Sequence, residues 1–154
     1  MKTHRIAVIA GDGIGKEVVP EGLRVLEAAG RKFGVAFQWD HYPWSCGYYA
    51  AHGRMMPDDG LDQIRGHDAI FLGAVGFPDV PDHVSLWGLL IPIRREFDQY
   101  ANVRPVRLMP GIRSPLAGRN IGDIDFIVVR ENTEGEYSSI GGRIYQGSAR
   151  EMVD

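Results

Sequence analysis

Apolar and polar positions change their period several times along the chain, and the changes mark out its elements. Residues 5–10 (RIAVIA) are a short β-branched-rich apolar run closed by glycine, the pattern of a buried strand. Between residues 14 and 33, Val18, Val19, Leu23, Val25, Leu26, Ala29 and Phe33 recur at helical spacing, and Gly34 stands where helices usually end. Val35, Phe37 and Trp39 then alternate with polar residues over 35–40. Strand, glycine loop, helix and strand make a βαβ unit. A second short helix is expected at 57–65 and a third strand at 68–72, followed by a glycine loop at 73–76 and a turn holding Pro78 and Pro81. Residues 86–99 predict a third helix that Pro92 must kink or split, because proline lacks the N–H of the helical ladder. Residues 100–108 read as extended and interrupted by Pro105, and 110–123 as a loop. Four large apolar residues at 126–129 predict a strand buried on both faces, running straight into the polar segment 130–137. The remainder, to 154, holds a strand-like piece at 142–146 and a polar tail without a closing helix. Alternating strands and helices predict an α/β protein with a parallel sheet.

Composition narrows the function classes. A net charge of −3 gives no general affinity for nucleic acid or for an anionic membrane. The N-terminal apolar run is shorter than the ~7–15 residues of a signal peptide core, and no stretch approaches the ~18 of a membrane span. Cys46 is the sole cysteine, so neither an internal disulfide framework nor a Cys-rich zinc site is available. A cytoplasmic protein is expected. The 20 glycines among 154 residues exceed the usual ~7%, so several loops need positive φ or close backbone approach.

Candidate chemistry falls at the ends of the expected elements. Gly11-Asp12-Gly13-Ile14-Gly15 sits between strand and helix, where it is either a tight βα turn or an anion site at a helix N-terminus. Its third glycine comes one residue too early for the dinucleotide fingerprint, and Asp12 repels phosphate. Arg94, Arg104 and Arg130 stand at element ends, either as surface charges or as forks that would pair the carboxylates of a small di-acid; Arg95 and Arg107 are their neighbours. The octet 130–137 follows a strand directly, where open α/β sheets place their sites, and Tyr137 is either a packed ring or a proton donor. Ser85 stands where a helix N-cap is expected. His4, His41, His52, His67 and His83 show no metal-ligand spacing.

Four segments together carry a resemblance: GDGIGKEV (11–18), DAIFLGAVG (68–76), IRREFDQYANVRPVRL (93–108) and VVRENTEGEY (128–137). They resemble the β-decarboxylating dehydrogenases, the family of isopropylmalate and isocitrate dehydrogenases. Within it, residues 85–100 and 131–145 look most like the members that act on tartrate and D-malate. Ala10 stands where relatives usually carry proline.

The resemblance implies an isopropylmalate-dehydrogenase-like two-domain α/β fold with a mostly parallel central sheet, incomplete in this chain. Residues 1–99 would begin a discontinuous outer, cofactor-side domain, and 100–154 would begin an inner, dimer-forming one. It implies NAD-dependent, Mn(II)- or Mg(II)-assisted oxidation of a small 2-hydroxy dicarboxylic acid, with loss of CO₂ for some substrates, in a homodimer. Arg94, Arg104 and Arg130 match the substrate-carboxylate arginines, and Tyr137 the tyrosine that protonates the enolate left by decarboxylation. Ile14, Gly73, Ala74 and Val75 match positions near the cofactor. Residues 85–90 match the part that distinguishes substrates, with Ser85 near substrate and Trp87 near the nicotinamide. The family's lysine base and metal-binding aspartates would lie beyond residue 154, so the chain by itself is expected to be inactive and poorly stable. The alternative is a chain that ends here, an inactive remnant or interaction module of the same fold.

Overall fold

The computed structural model describes residues 2–154 other than Glu136, Tyr137 and Ser139. The chain divides into two compact units, Met1–Phe97 and Asp98–Asp154.

The first unit is built around β1 (Lys2–Gly11), whose residues from Ile6 to Ile9 are almost wholly buried. α1 (Gly15–Phe33) returns the chain so that β2 (Val35–His41) lies parallel to β1 on one side, and β3 (Ala69–Ala74) pairs parallel on the other. The order β2-β1-β3 pairs the central strand on both edges. Ile6 and Val8 pack against Val19 of α1. Ala7 and Ile9 face the opposite way, into a cluster with Trp44, Met55, Ile64, Leu89 and Ile93. Alternation along one strand thus feeds two cores, which is why it reads as a continuous apolar run.

α1 ends as its sequence predicts, with Gly34 left-handed (φ 72°) and its N–H on the carbonyl of Gly30. Its buried stripe is narrower than expected, however: Val19 is buried, whereas Val18, Val25 and Phe33 are exposed. The expected helix at 57–65 forms only as α3 (Gly60–Arg65). α2 (Cys46–His52) is too short to show a period, yet its ends are marked: the Ser45 hydroxyl accepts from Tyr48 N–H at 3.0 Å, and Gly53 is left-handed (φ 71°).

The third helix begins earlier than its apolar run. α4 (Asp82–Ser85) leads into a π-helical turn (Leu86–Leu90) and then α5 (Ile91–Glu96). The wide turn, closed by Ile91 N–H on Leu86 O, comes directly before Pro92. Proline splits the element as expected, by a change of helix type rather than by a break.

The second unit differs most from expectation. β4 (Ala101–Arg107) runs through Pro105 without interruption and pairs antiparallel with β5 (Asp125–Glu131). In a two-stranded ribbon each strand has a free edge, where a missing N–H is tolerated. The 126–129 segment is a strand, but Phe126, Ile127, Val128 and Val129 are all exposed rather than buried on both faces. A short ladder joins β6 (Arg143–Ile144) to β7 (Met152–Val153).

Candidate functional site

Open parallel sheets place their sites at the carboxyl ends of their strands. Here those ends belong to β1 and β3, and they touch. A side chain at Gly11 would run into the Ala74 carbonyl oxygen, one at Gly73 into that of Ala10, and one at Gly15 into both backbones. Gly11, Gly15 and Gly73 therefore serve close backbone approach, whereas Gly13 has nothing within 4 Å of a new Cβ. Asp12 N–H donates to Ala74 O (2.7 Å), Gly15 N–H to Asp12 O (2.8 Å) and Lys16 N–H to Gly13 O (3.1 Å). These bonds are those of a tight βα turn, the first of the two readings of the loop.

Of the cofactor-side candidates, Ile14, Gly73, Ala74 and Val75 collect at this edge. Ile14 leads into α1 with its side chain 58% exposed, and Gly73 and Ala74 are the last residues of β3 rather than loop. Trp87 lies in the π-helical turn, partly exposed, with the Arg95 guanidinium 5.0 Å from its ring centre. Ser85 is buried and its hydroxyl donates to Asp82 O (3.1 Å). It closes α4 instead of opening the next helix, so the N-cap reading is wrong; the helix had already begun at Asp82. Arg94 lies in the last turn of α5, half-buried.

In the second unit the register brings two candidates together. Asn102 pairs with Arg130 and Arg104 with Val128, so Arg104 and Arg130 are diagonal neighbours on one face of the ribbon. Asn102 Oδ1 accepts from Arg104 Nε at 3.2 Å and steadies that guanidinium. Two cationic forks on one face suit an anion with more than one carboxylate. Arg107 instead pairs with Asp125 at 3.5 Å, both exposed. Tyr137 lies outside the described residues.

Two residues have roles that sequence reasoning did not supply. Asn132 is buried, its Nδ2 donates to Gln99 O (3.1 Å), and its Oδ1 has no hydrogen-bond partner among the described residues. Asp12 is also buried, and its carboxylate accepts from the N–H groups of Cys46 (2.8 Å), Gly47 (3.2 Å) and Gly76 (3.3 Å). Burial pushes its pKa up, but these bonds outweigh burial and hold it below the ordinary carboxylate value. Burial and the facing Asp12 carboxylate raise the Cys46 thiol to about 11, so it stays protonated and unreactive near neutrality.

Glu131, at the end of β5, folds the start of the polar segment around its carboxylate. It accepts from Thr133 N–H (2.5 Å), Thr133 Oγ1 (2.8 Å) and Glu134 N–H (2.9 Å). The Thr133 N–H bond leads in lowering its pKa to about 2. The folded form thus has the lower pKa, so the turn's stabilisation is complete above the ordinary value near 4.5 and is lost as pH falls through about 2. A pH titration followed by NMR at the Thr133 and Glu134 amides should give a midpoint near 2; a midpoint above 4 would remove this account.

Among the described residues no group of three or more His, Cys, Asp or Glu side chains is placed to hold a metal ion. The described donor set does not fit a divalent metal site. Among the described residues no helix is long and apolar enough to cross a membrane.

Comparison with known proteins gives this arrangement a family. The family model described as isocitrate/isopropylmalate dehydrogenase matches residues 5–154. The D-malate dehydrogenase [decarboxylating] of Escherichia coli is 63% identical over 99% of this chain and 43% of its own length. The tartrate dehydrogenase/decarboxylase of Pseudomonas putida is 62% identical over 98% of this chain and 42% of its own. Among solved structures, isocitrate dehydrogenase from Methylococcus capsulatus superposes with a TM-score of 0.73 at 31% identity, covering 98% of this chain and 42% of that one. The chain therefore spans less than half the length of the relatives it matches. With the α/β fold and a family match running nearly end to end, the chain belongs to the isocitrate/isopropylmalate dehydrogenase family.

Proposed function

We propose that the whole protein carrying this chain oxidises a small 2-hydroxy dicarboxylic acid, tartrate or D-malate, with NAD and Mn(II) or Mg(II), releasing CO₂ from some substrates. The observation that carries this reading is the register of β4 and β5, which sets Arg104 and Arg130 on one face. The names of the relatives above 60% identity support the choice of substrate.

In this reading Arg94, Arg104 and Arg130 bind and orient the two carboxylates, and Ser85 helps shape the pocket around the substrate. Tyr137 is the catalytic acid that returns a proton to carbon after CO₂ leaves. The apolar Ile14 surface, the backbone of 73–75 and Trp87 hold the nicotinamide cofactor, and the exposed Ile14 and Trp87 side chains fit an uncharged ring better than a phosphate. The cofactor supplies the hydride acceptor. Residues 1–99 then belong to the cofactor-side domain, and 100–154 begin the domain through which two copies pair. The metal's ligands, and the lysine base, belong to sequence beyond residue 154, so residues 1–154 alone turn over no substrate. The enzyme works in the cytoplasm.

The test is an assay of the protein from the full reading frame with NAD and Mn(II) against tartrate, D-malate, isopropylmalate and isocitrate. The expected result is a kcat/KM for tartrate or D-malate at least about tenfold above that for isocitrate, since one pair of poorly matched charged contacts is worth roughly 1.5–3 kcal/mol. A preference for isocitrate would refute it.

A further inference from the structure

We propose that Asp12 is a positioning residue for the dinucleotide cofactor, holding residues 73–76, the end of β3 and the loop after it, in their binding conformation without touching the ligand. This rests on the reading above, in which that segment contacts the cofactor.

Asp12 ties three separate stretches of backbone together. Its own N–H donates to Ala74 O at the end of β3, at 2.7 Å. Its Oδ2 accepts from Gly76 N–H two residues further on (3.3 Å) and from Cys46 N–H at the start of α2 (2.8 Å), and its Oδ1 accepts from Gly47 N–H (3.2 Å). Ala74 and Gly76 are therefore both held by one residue on the neighbouring strand's exit, and the loop is fixed at two points. The side of Asp12 toward α2 is anchored as well, because α2 packs into the core through Cys46. The carboxylate is 4% exposed, so water does not replace these bonds.

Only a carboxylate fits this place well. Three N–H donors converge on it, and a carboxylate is acceptor-only on both oxygens. An asparagine would direct its own NH₂ at Gly47 or at Cys46 and Gly76, leaving donor against donor in a buried site. The neighbouring thiol remains neutral, so the site carries a single negative charge. That charge lies beneath the loop and faces backbone. It shapes the surface the loop presents, and it accounts for an acidic residue in a glycine turn that leads into a helix.

The experiment uses the protein from the full reading frame, as wild type and as Asp12→Asn. NAD affinity is measured by fluorescence titration, steady-state KM for NAD and for D-malate separately, and thermal unfolding alongside. We expect Asp12→Asn to raise the Kd and KM for NAD at least tenfold while the KM for D-malate stays within twofold. Lowered thermal stability with unchanged NAD parameters would reduce Asp12 to a structural residue and overturn the proposal. Hydrogen exchange in the wild type provides a readout that does not depend on the variant folding: saturating NAD should slow exchange across the peptide containing 73–76, and no change there would equally overturn it. A wild type that binds no NAD would instead refute the functional reading itself.

Discussion

Replacing Arg130 by alanine is expected to lower kcat/KM of the whole protein toward its dicarboxylate substrate at least about tenfold, mostly through KM. A hydrogen bond to a charged group is worth roughly 1.5–3 kcal/mol, and each 1.4 kcal/mol is a factor of ten. Arg130 stands opposite Asn102 and diagonal to Arg104, so its loss leaves one fork on that face of the ribbon where there were two. Arg130→Lys should recover little, because an ammonium is a point charge and cannot reproduce two parallel N–H bonds. The side chain is only half-buried, so the fold should survive, and an unchanged melting temperature would separate lost binding from lost structure. A normal kcat/KM in Arg130→Ala would end the assignment.

The second large effect is on stability. Gly11→Ala should lower the melting temperature by at least about 10 °C. Gly11 is left-handed (φ +76°), and a Cβ there would meet Ala74 O, with Ala74 C at 2.8 Å and Val75 Cγ2 at 3.1 Å. The obstruction is backbone of the paired strand, which cannot turn away. Overpacking costs about 1–3 kcal/mol and the left-handed conformation about 1–2 kcal/mol more for a residue with a Cβ. In a unit of under 100 residues each kcal/mol shifts the transition by about 4–8 °C. Gly13→Ala is the matched control: also at positive φ (+46°), but with nothing within 4 Å of a new Cβ. It should lose only the conformational part, about 1–2 kcal/mol. Equal losses in the two variants, followed by circular dichroism, would show that the strand contact does not matter.

The legible parts of the fold were those in which local pattern and burial agree. β1 and the Gly34 cap followed from residues next to each other in sequence, because a buried central strand and a left-handed cap each demand particular side chains. The 126–129 strand was legible as a strand but not in its environment, since apolar residues report what a strand would bury, not which layers cover it. Pro105 misled for a related reason: its tolerance depends on which edge of a ribbon it occupies, and pairing is a long-range fact. The site divides the same way. Arg104 and Arg130 could be singled out by type and position, but their sharing of a face depends on a strand register that relates residues 26 positions apart in sequence. Asp12 was read by its charge alone. Its partners lie at 46, 47 and 76, and nothing near it in the sequence points to them.

The π-helical turn at Leu86–Leu90 changes the bearing of the side chains on either side of it. An α-helix advances about 100° per residue, so Ser85 and Arg94, nine positions apart, would point in opposite directions along an unbroken helix. A π turn takes up one residue without turning the axis further, which brings the two to within about 80° of each other. Trp87 and Arg95, eight apart, come nearly into line by the same offset, as the 5.0 Å separation between guanidinium and ring attests. A chain one residue shorter across 86–90 would wind as ordinary α-helix and keep both arms in the same phase. Loss of a single residue in this stretch would thus leave the bearing of Arg94 relative to Ser85 unchanged.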